Sequence, residues 1–284
     1  MRHAYVNGRY VPHAQAQVHI EDRGYQFADG VYEVVPLRDG RMIDEAPHLD
    51  RLGRSLAALR IDWPMSRACL GLVLRELVRR NAVADGSVYL QVTRGVAPRD
   101  HKFPRSPKPS LVVTTKWAGP ATGLGAKGVG VVTVPDVRWR RCDIKSINLL
   151  ANVLAKQAAA EQSAFEAWQV DEAGLVTEGA STNAWIVTAD GALRTRALGS
   201  AILAGVTRET LLGFLAHEGL RVEERAFTVP EALLAPEAFL TSSSNFVLPV
   251  TRLDGKPIGD GRPGPITRRL RAWYLKHAGM AAES

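Results

Sequence analysis

Cysteine is scarce: only Cys69 and Cys142 occur in 284 residues. Two isolated thiols supply neither a disulfide framework nor the paired spacing of a structural zinc site, so no metal is expected. Cys69 lies in an apolar run and is expected in a core. Long hydrophobic runs are missing as well. No stretch approaches the roughly 18 apolar residues of a membrane span, and residues 1–6 lack the apolar region of a secretory signal. The expected compartment is therefore the cytoplasm, with no membrane partner. Internal repeats and low-complexity tails are absent. The net charge of +7 is not gathered into a nucleic-acid footprint. Its densest cluster, Arg138, Arg140 and Arg141, is interrupted by Trp139, and no zinc-finger or RNA-recognition spacing accompanies it. No nucleic-acid partner is expected; a solvated basic surface suits anionic small molecules. What remains, 46% apolar and 23% charged residues, is ordinary globular composition. The length allows one large core or two moderate ones.

Turn signals and periodicity divide the chain. Asn7-Gly8 between two short apolar runs predicts a tight hairpin. A strand is predicted over 30–37, turning at Asp39-Gly40. Leu49, Leu52, Leu56 and Leu59 recur at helical spacing over 48–61, as do Leu70, Val73, Leu74 and Leu77 over 67–81. Strands at 87–93 and 110–116 flank a proline-rich loop holding Arg99, His101 and Phe103. The Gly/Pro/Ala-rich stretch 118–128 predicts a linker. The expected organisation is an N-terminal domain (1–118), a linker (119–128) and a C-terminal domain (129–284). Within the last, strands are predicted near 128–134, 167–170, 184–187, 221–226 and 238–241. Helices are predicted near 149–163, 207–218 and 265–277, with turns at Asp190-Gly191 and Asp254-Gly255. Mixed elements with several hairpins indicate α+β rather than a doubly wound parallel sheet. Gly123-Leu124-Gly125-Ala126-Lys127-Gly128 matches a dinucleotide fingerprint in spacing alone, because a valine-rich strand is expected next and no helix.

The chemistry concentrates in two runs. In Arg141-Cys142-Asp143-Ile144-Lys145-Ser146-Ile147-Asn148 a lysine stands between apolar neighbours, which disfavour its charged form. A neutral amine is a nucleophile able to form a Schiff base with an aldehyde cofactor. In Val176-Thr177-Glu178-Gly179-Ala180-Ser181-Thr182-Asn183 a carboxylate sits among small polar residues. Pyridoxal 5'-phosphate (PLP) needs such a lysine, an acid on its ring nitrogen and anchors for its phosphate.

Further motifs make the pattern specific. They are Glu21-Asp22-Arg23-Gly24-Tyr25-Gln26-Phe27-Ala28-Asp29-Gly30-Val31-Tyr32-Glu33, His48-Leu49-Asp50-Arg51-Leu52, and Val92-Thr93-Arg94-Gly95 with Arg99-Asp100-His101. After the Lys145 and Glu178 runs come Leu203-Ala204-Gly205-Val206-Thr207-Arg208 and Thr241-Ser242-Ser243-Ser244. In this order they resemble the fold type IV PLP-dependent aminotransferases, which include D-amino acid, branched-chain and aminodeoxychorismate enzymes. The resemblance is strongest to the D-amino acid group and runs from residue 5 to about 260.

That resemblance implies two α+β domains enclosing one PLP at their interface. It implies Lys145 as the Schiff-base lysine, able to carry the proton between the substrate Cα and the cofactor C4′. Glu178 is implied as partner of the ring nitrogen. Arg51, whose helix is leucine-rich on the opposite face, is implied as a bidentate phosphate ligand. Val206 and Thr207 are implied as the anion-binding start of a helix, where Thr207 also suits an N-cap. Ser242 and Ser243 match a second phosphate-side loop. Tyr32, Arg99 and His101 match a trap for the substrate α-carboxylate, which implies a D-amino acid substrate. In such dimers the Arg-x-His loop reaches the neighbouring subunit's site, so a homodimer is implied. The implied reaction is transamination between a D-amino acid and a 2-oxo acid, 2-oxoglutarate or pyruvate. A branched-chain L-aminotransferase, an (R)-amine transaminase and an aminodeoxychorismate lyase share the fold.

Three positions depart from the pattern. Phe246 stands where an acid is usual, Pro36 is expected to end the Val34-Val35 strand, and Ser243 replaces a commoner threonine. Phe246 and Pro36 are expected beside the side-chain pocket. Cys142 is expected to pack rather than react.

Overall fold

The strand that begins at Gly30 is the axis of the first half of the chain. The computed structural model describes residues 2–119 and 123–280. Contacts divide the chain into two units, Met1–Pro120 with Ile144–Asn148, and Ala121–Asp143 with Leu149–Ser284. The Lys145 segment therefore joins the first unit, not the C-terminal part in which the sequence places it. Of the expected linker, residues 120–122 lie outside the described residues.

In the first unit the strands are β1 (His3–Val6), β2 (Arg9–Pro12), β3 (Gly30–Arg38), β4 (Arg41–Met42), β5 (Gly86–Thr93) and β6 (Ser110–Trp117). They form one antiparallel sheet in the order β2-β1-β6-β5-β3-β4. Asn7 and Gly8 both have positive φ, 45° and 95°, as a two-residue type I′ hairpin requires. Helices α1 (Arg23–Phe27), α2 (Glu45–Leu59) and α3 (Arg67–Asn81) complete the unit. Leu52, Leu56, Leu70, Leu74 and Leu77 meet Val31, Leu37, Val88, Leu90 and Val92 in its core. Each such fully buried leucine contributes roughly 1.5–3 kcal/mol relative to exposure.

Two expectations fail in this unit. Cys69 is exposed: it sits one residue, or about 100° of helix, away from the buried Leu70, Leu74 and Leu77. Pro36 does not end its strand, since β3 continues to Arg38 with Pro36 opposite Ser87. The Pro36 carbonyl accepts from Ile43. The missing N–H thus falls on the side of the two-residue β4, where little ladder exists to disrupt.

The second unit holds α4 (Leu124–Lys127), β7 (Val129–Pro135), α5 (Leu150–Glu161), β8 (Glu166–Val170), β9 (Val176–Gly179), β10 (Asn183–Val187), β11 (Leu193–Thr195), α6 (Val206–His217), β12 (Val222–Glu224), α7 (Val229–Leu234), β13 (Glu237–Ser242), β14 (Phe246–Leu253), β15 (Lys256–Pro257) and α8 (Pro265–His277). The sheet order is β12-β11-β10-β13-β14-β7-β8-β9, with β15 on β14. It is mixed, because β11·β12, β14·β7 and β7·β8 are parallel. Trp168, Phe227, Ile186, Leu240 and Leu248 fill one core, and Ala155, Ala159 and Ala167 pack a second layer.

Here too the structure adds elements. The glycine-rich decoy contains one helical turn, α4, which ends at Gly128 and leads into β7. The first four residues of the Glu178 run form a wholly buried strand, β9. Thr228 and Glu231 form a reciprocal capping box that starts α7, a signal present in the sequence but attached to too short a helix for periodicity to show. Among the described residues no helix is long and apolar enough to cross a membrane.

Candidate functional site

In the first unit, the backbone holds Lys145. Its N–H donates to Ser55 Oγ at 3.2 Å, and its carbonyl accepts from Tyr32 N at 3.0 Å. Ser146 bridges Val31 and Ile147 N donates to the Gly30 carbonyl, so the segment lies against β3. Ile144 is sunk in the core. The half-buried Lys145 side chain places its Nζ 4.3 Å from the centre of the Tyr32 ring. Tyr89 stands beside Tyr32, ring centres 5.8 Å apart, and donates to Gln91. Burial pushes the Tyr89 phenol up to about 12, so it is protonated at neutral pH.

Arg51 is buried on α2, together with His48 and Ser55. Its Nε and Nη2 donate to the two oxygens of Glu33, each at 2.8 Å. His48 Nδ1 lies 2.8 Å from Glu33 Oε2. Glu33 is fully buried on the same face of β3 as Val31, Val35 and Leu37. Burial by itself would raise its carboxyl; the charge and hydrogen bonds of Arg51, helped by His48, instead bring it down to about 2. Burial also lowers the His48 imidazole, against the pull of Glu33. Sequence reasoning passes over Glu33, since a carboxylate on an inward face is legible only once its partner is known.

Arg99 and His101 are exposed on their loop and share one neighbour, Phe27. The Arg99 guanidinium carbon is 4.9 Å from that ring's centre, and the His101 ring centre is 5.4 Å away. Tyr32, the third member of the expected trap, contacts Lys145 and Tyr89.

In the second unit Glu178 is buried at the end of β9. It accepts from Arg138 Nη1, from Asn183 Nδ2 at 3.0 Å and from Leu203 N at 3.1 Å. Arg138 also grips Asp136, Thr177 and the Ala201 carbonyl. Asn183 donates to the Leu203 carbonyl as well. Sequence reasoning gives neither Arg138 nor Asn183 a role. In the sequence Arg138 reads only as part of a surface charge cluster.

Asn183 ties this carboxylate to the start of α6. A Cβ on Gly205 would lie 2.0 Å from Asn183 Oδ1, so glycine is what permits the approach. Gly205 is also the N-cap, correcting the expectation for Thr207, which with Val206 forms the buried first turn. Gly205 has no side chain with which to cap those amides, and such a helix start is an anion site. Across the ladder Asn183 pairs with Thr241, and Ser242 and Ser243 follow at the same end of the sheet. Ser242 Oγ accepts from Asn245 N. Phe246 is buried and stacks on Tyr274 of α8, ring centres 5.0 Å apart. Cys142, half-buried, donates to the Trp139 carbonyl, and burial raises its thiol to about 11, which agrees with packing.

Among the described residues no cluster of three or more potential metal ligands occurs. Each unit by itself carries donors that suit part of PLP: in the second, a held, buried carboxylate suits a ring nitrogen and a glycine-capped helix start with nearby hydroxyls suits a phosphate; in the first, a half-buried lysine suits an aldehyde. Residues 30–253 match the amino-transferase class IV family model. D-alanine aminotransferase of Bacillus licheniformis is 44% identical over 265 residues, 93% of each chain. The branched-chain amino acid aminotransferase of Escherichia coli has the same fold, with TM-score 0.90 and 22% identity over 100% of this chain and 97% of that one. A second branched-chain amino acid aminotransferase, from T.th. and solved with pyridoxamine 5'-phosphate, gives TM-score 0.88 and 26% identity over 98% and 94% of the two chains. The chain thus belongs to the amino-transferase class IV family and is a PLP-dependent aminotransferase of fold type IV.

Proposed function

We propose that this chain transfers the amino group of a D-amino acid to a 2-oxo acid, pyruvate or 2-oxoglutarate, acting as a cytoplasmic homodimer. When bound, PLP supplies an aldehyde carbon that takes up the amino nitrogen and a ring that accepts the electrons left at the substrate Cα. The chain does the rest. Lys145 anchors the coenzyme and moves the proton between the substrate Cα and the coenzyme C4′. Glu178, fastened by Arg138, Asn183 and the Leu203 amide, holds a proton at the ring nitrogen. The Val206 and Thr207 amides, the hydroxyls of Thr207, Ser242 and Ser243, and Arg51 receive the phosphate, with Glu33 fixing the direction of the Arg51 guanidinium. Arg99 and His101, with Tyr32, orient the substrate by its α-carboxylate.

The observation carrying the substrate reading is the convergence of Arg99 and His101 on Phe27. Two cationic or hydrogen-bonding side chains at one place on an exposed loop suit a small carboxylate. The near-full-length similarity to a D-alanine aminotransferase supports the same choice. To test it, D-alanine and L-leucine are each incubated with 2-oxoglutarate and the purified holoenzyme. D-alanine should be consumed and L-leucine left; turnover of L-leucine alone removes the D-amino acid reading. Multiple-turnover release of pyruvate from aminodeoxychorismate, with no amino acceptor present, would mark a lyase instead.

The α6 start yields a separate expectation. Gly205→Ala drives a methyl group into Asn183 and displaces its bonds to Glu178 and Leu203. Loss of one hydrogen bond to a charged group corresponds to about 10- to 100-fold weaker coenzyme binding. Equilibrium titration of the apoprotein with PLP, followed by absorbance, measures it.

A further inference from the structure

Two motifs, around Asp29 and around Arg94, remain without a role, and the structure joins them. Asp29 Oδ2 accepts from Arg23 Nε and from Arg94 Nε, each at 2.8 Å, and its Oδ1 accepts from Arg94 Nη2 at 2.9 Å. Both arginines are buried. The backbones are knitted too, with Arg94 N on the Asp29 carbonyl and Arg23 N on the Gly95 carbonyl. Arg94 reaches on to the carbonyls of Leu59 and Arg60, the electronegative end of α2.

From this buried base two connections rise to the exposed loop. Arg23 Nη1 donates to the Asp100 carbonyl at 2.6 Å, and Asp100 stands between Arg99 and His101. The Arg23 guanidinium also lies 4.8 Å from the centre of the Phe27 ring, on which Arg99 and His101 rest. Past His101 the loop is held again, with the Phe103 ring centre 3.6 Å from the Arg94 guanidinium carbon and 4.9 Å from that of Arg60. The peptide from which both side chains spring is therefore fixed from below and clamped at each end.

We propose that Arg23, held by Asp29 and bearing on Phe27 and the Asp100 carbonyl, is a positioning residue that sets the Arg99/His101 pair for carboxylate recognition. This rests on the reading of Arg99 and His101 given above. Both substrates of a transamination carry an α-carboxylate, so loosening the loop weakens binding of each while the proton transfer, which uses other groups, continues.

The test compares Arg23→Met, Phe27→Leu and Arg99→Ala holoenzymes with D-alanine and 2-oxoglutarate. Phe27→Leu leaves the buried ion pairs intact and serves where Arg23→Met fails to fold. Either variant should raise KM for both substrates about tenfold with kcat within about threefold, the pattern of lost binding rather than lost chemistry. Coenzyme affinity should be unchanged, and amide hydrogen exchange across residues 99–103 should be faster. Arg23→Lys, which keeps one charge-assisted bond, should give an intermediate KM. If Arg99→Ala raises KM and the other two do not, the positioning role is wrong and the carboxylate reading survives. If Arg99→Ala leaves KM unchanged, both are wrong. A fall in kcat and coenzyme affinity at constant KM overturns the positioning role in favour of a general structural one.

Discussion

Lys145→Ala is expected to lower amino-group transfer by about 10³-fold or more, the scale of losing a positioned acid–base group together with its nucleophile. The same variant should fold normally. The bonds that hold the segment come from backbone atoms, Lys145 N to Ser55 and Tyr32 N to the Lys145 carbonyl, and alanine keeps both. Alanine removes the approach of Nζ to the Tyr32 ring, about 0.5–1 kcal/mol for such a pair at a partly solvated site. Single-turnover transfer from D-alanine, alongside a thermal melt, separates the two effects. Full transfer by the variant would remove Lys145 from the chemistry.

Glu33→Gln should have the largest effect on stability. It leaves the Arg51 guanidinium buried without its counter-charge, which costs about 3–5 kcal/mol. The cost depends on pH in a definite direction. In the folded state the Glu33 carboxyl titrates at about 2, below its ordinary 4.5. Its contribution is thus complete above about 4.5 and is lost as pH falls towards 2. His48 adds to the acid sensitivity, because its imidazole is held below the ordinary 6.5 and charging it opposes folding. Urea denaturation of wild type and Glu33→Gln should differ by several kcal/mol at pH 7 and converge near pH 2–3. A difference below about 1 kcal/mol at pH 7 would mean that the pair behaves as a solvated surface bridge.

Local rules carry far where local forces decide. Asn7-Gly8, Asp39-Gly40 and Asp254-Gly255 are turns because their backbone needs positive φ, and that need is written in residue type. The helix predicted over 67–81 is α3 to the residue, and that over 265–277 is α8, each with an apolar stripe at helical spacing. The motifs around Lys145 and Glu178 point to the cofactor because their chemistry is unusual in so short a span. Cys69 misleads, since an apolar neighbourhood in sequence does not say which face of a helix a residue takes. β9 escapes sequence reasoning because four buried residues of mixed polarity show no alternation.

What this sequence determined alone is the family, the cofactor chemistry and the residue types that chemistry needs, because these depend on short motifs and on local backbone preference. What only the tertiary structure decided is which charges those residues keep company with. Glu33 with Arg51, Arg138 with Glu178, and Asp29 with Arg94 lie 18, 40 and 65 positions apart. Partners so distant are chosen by how strands and helices pack. In a low-dielectric interior, that choice sets both the direction in which a guanidinium points and the pH at which a carboxylate lets go.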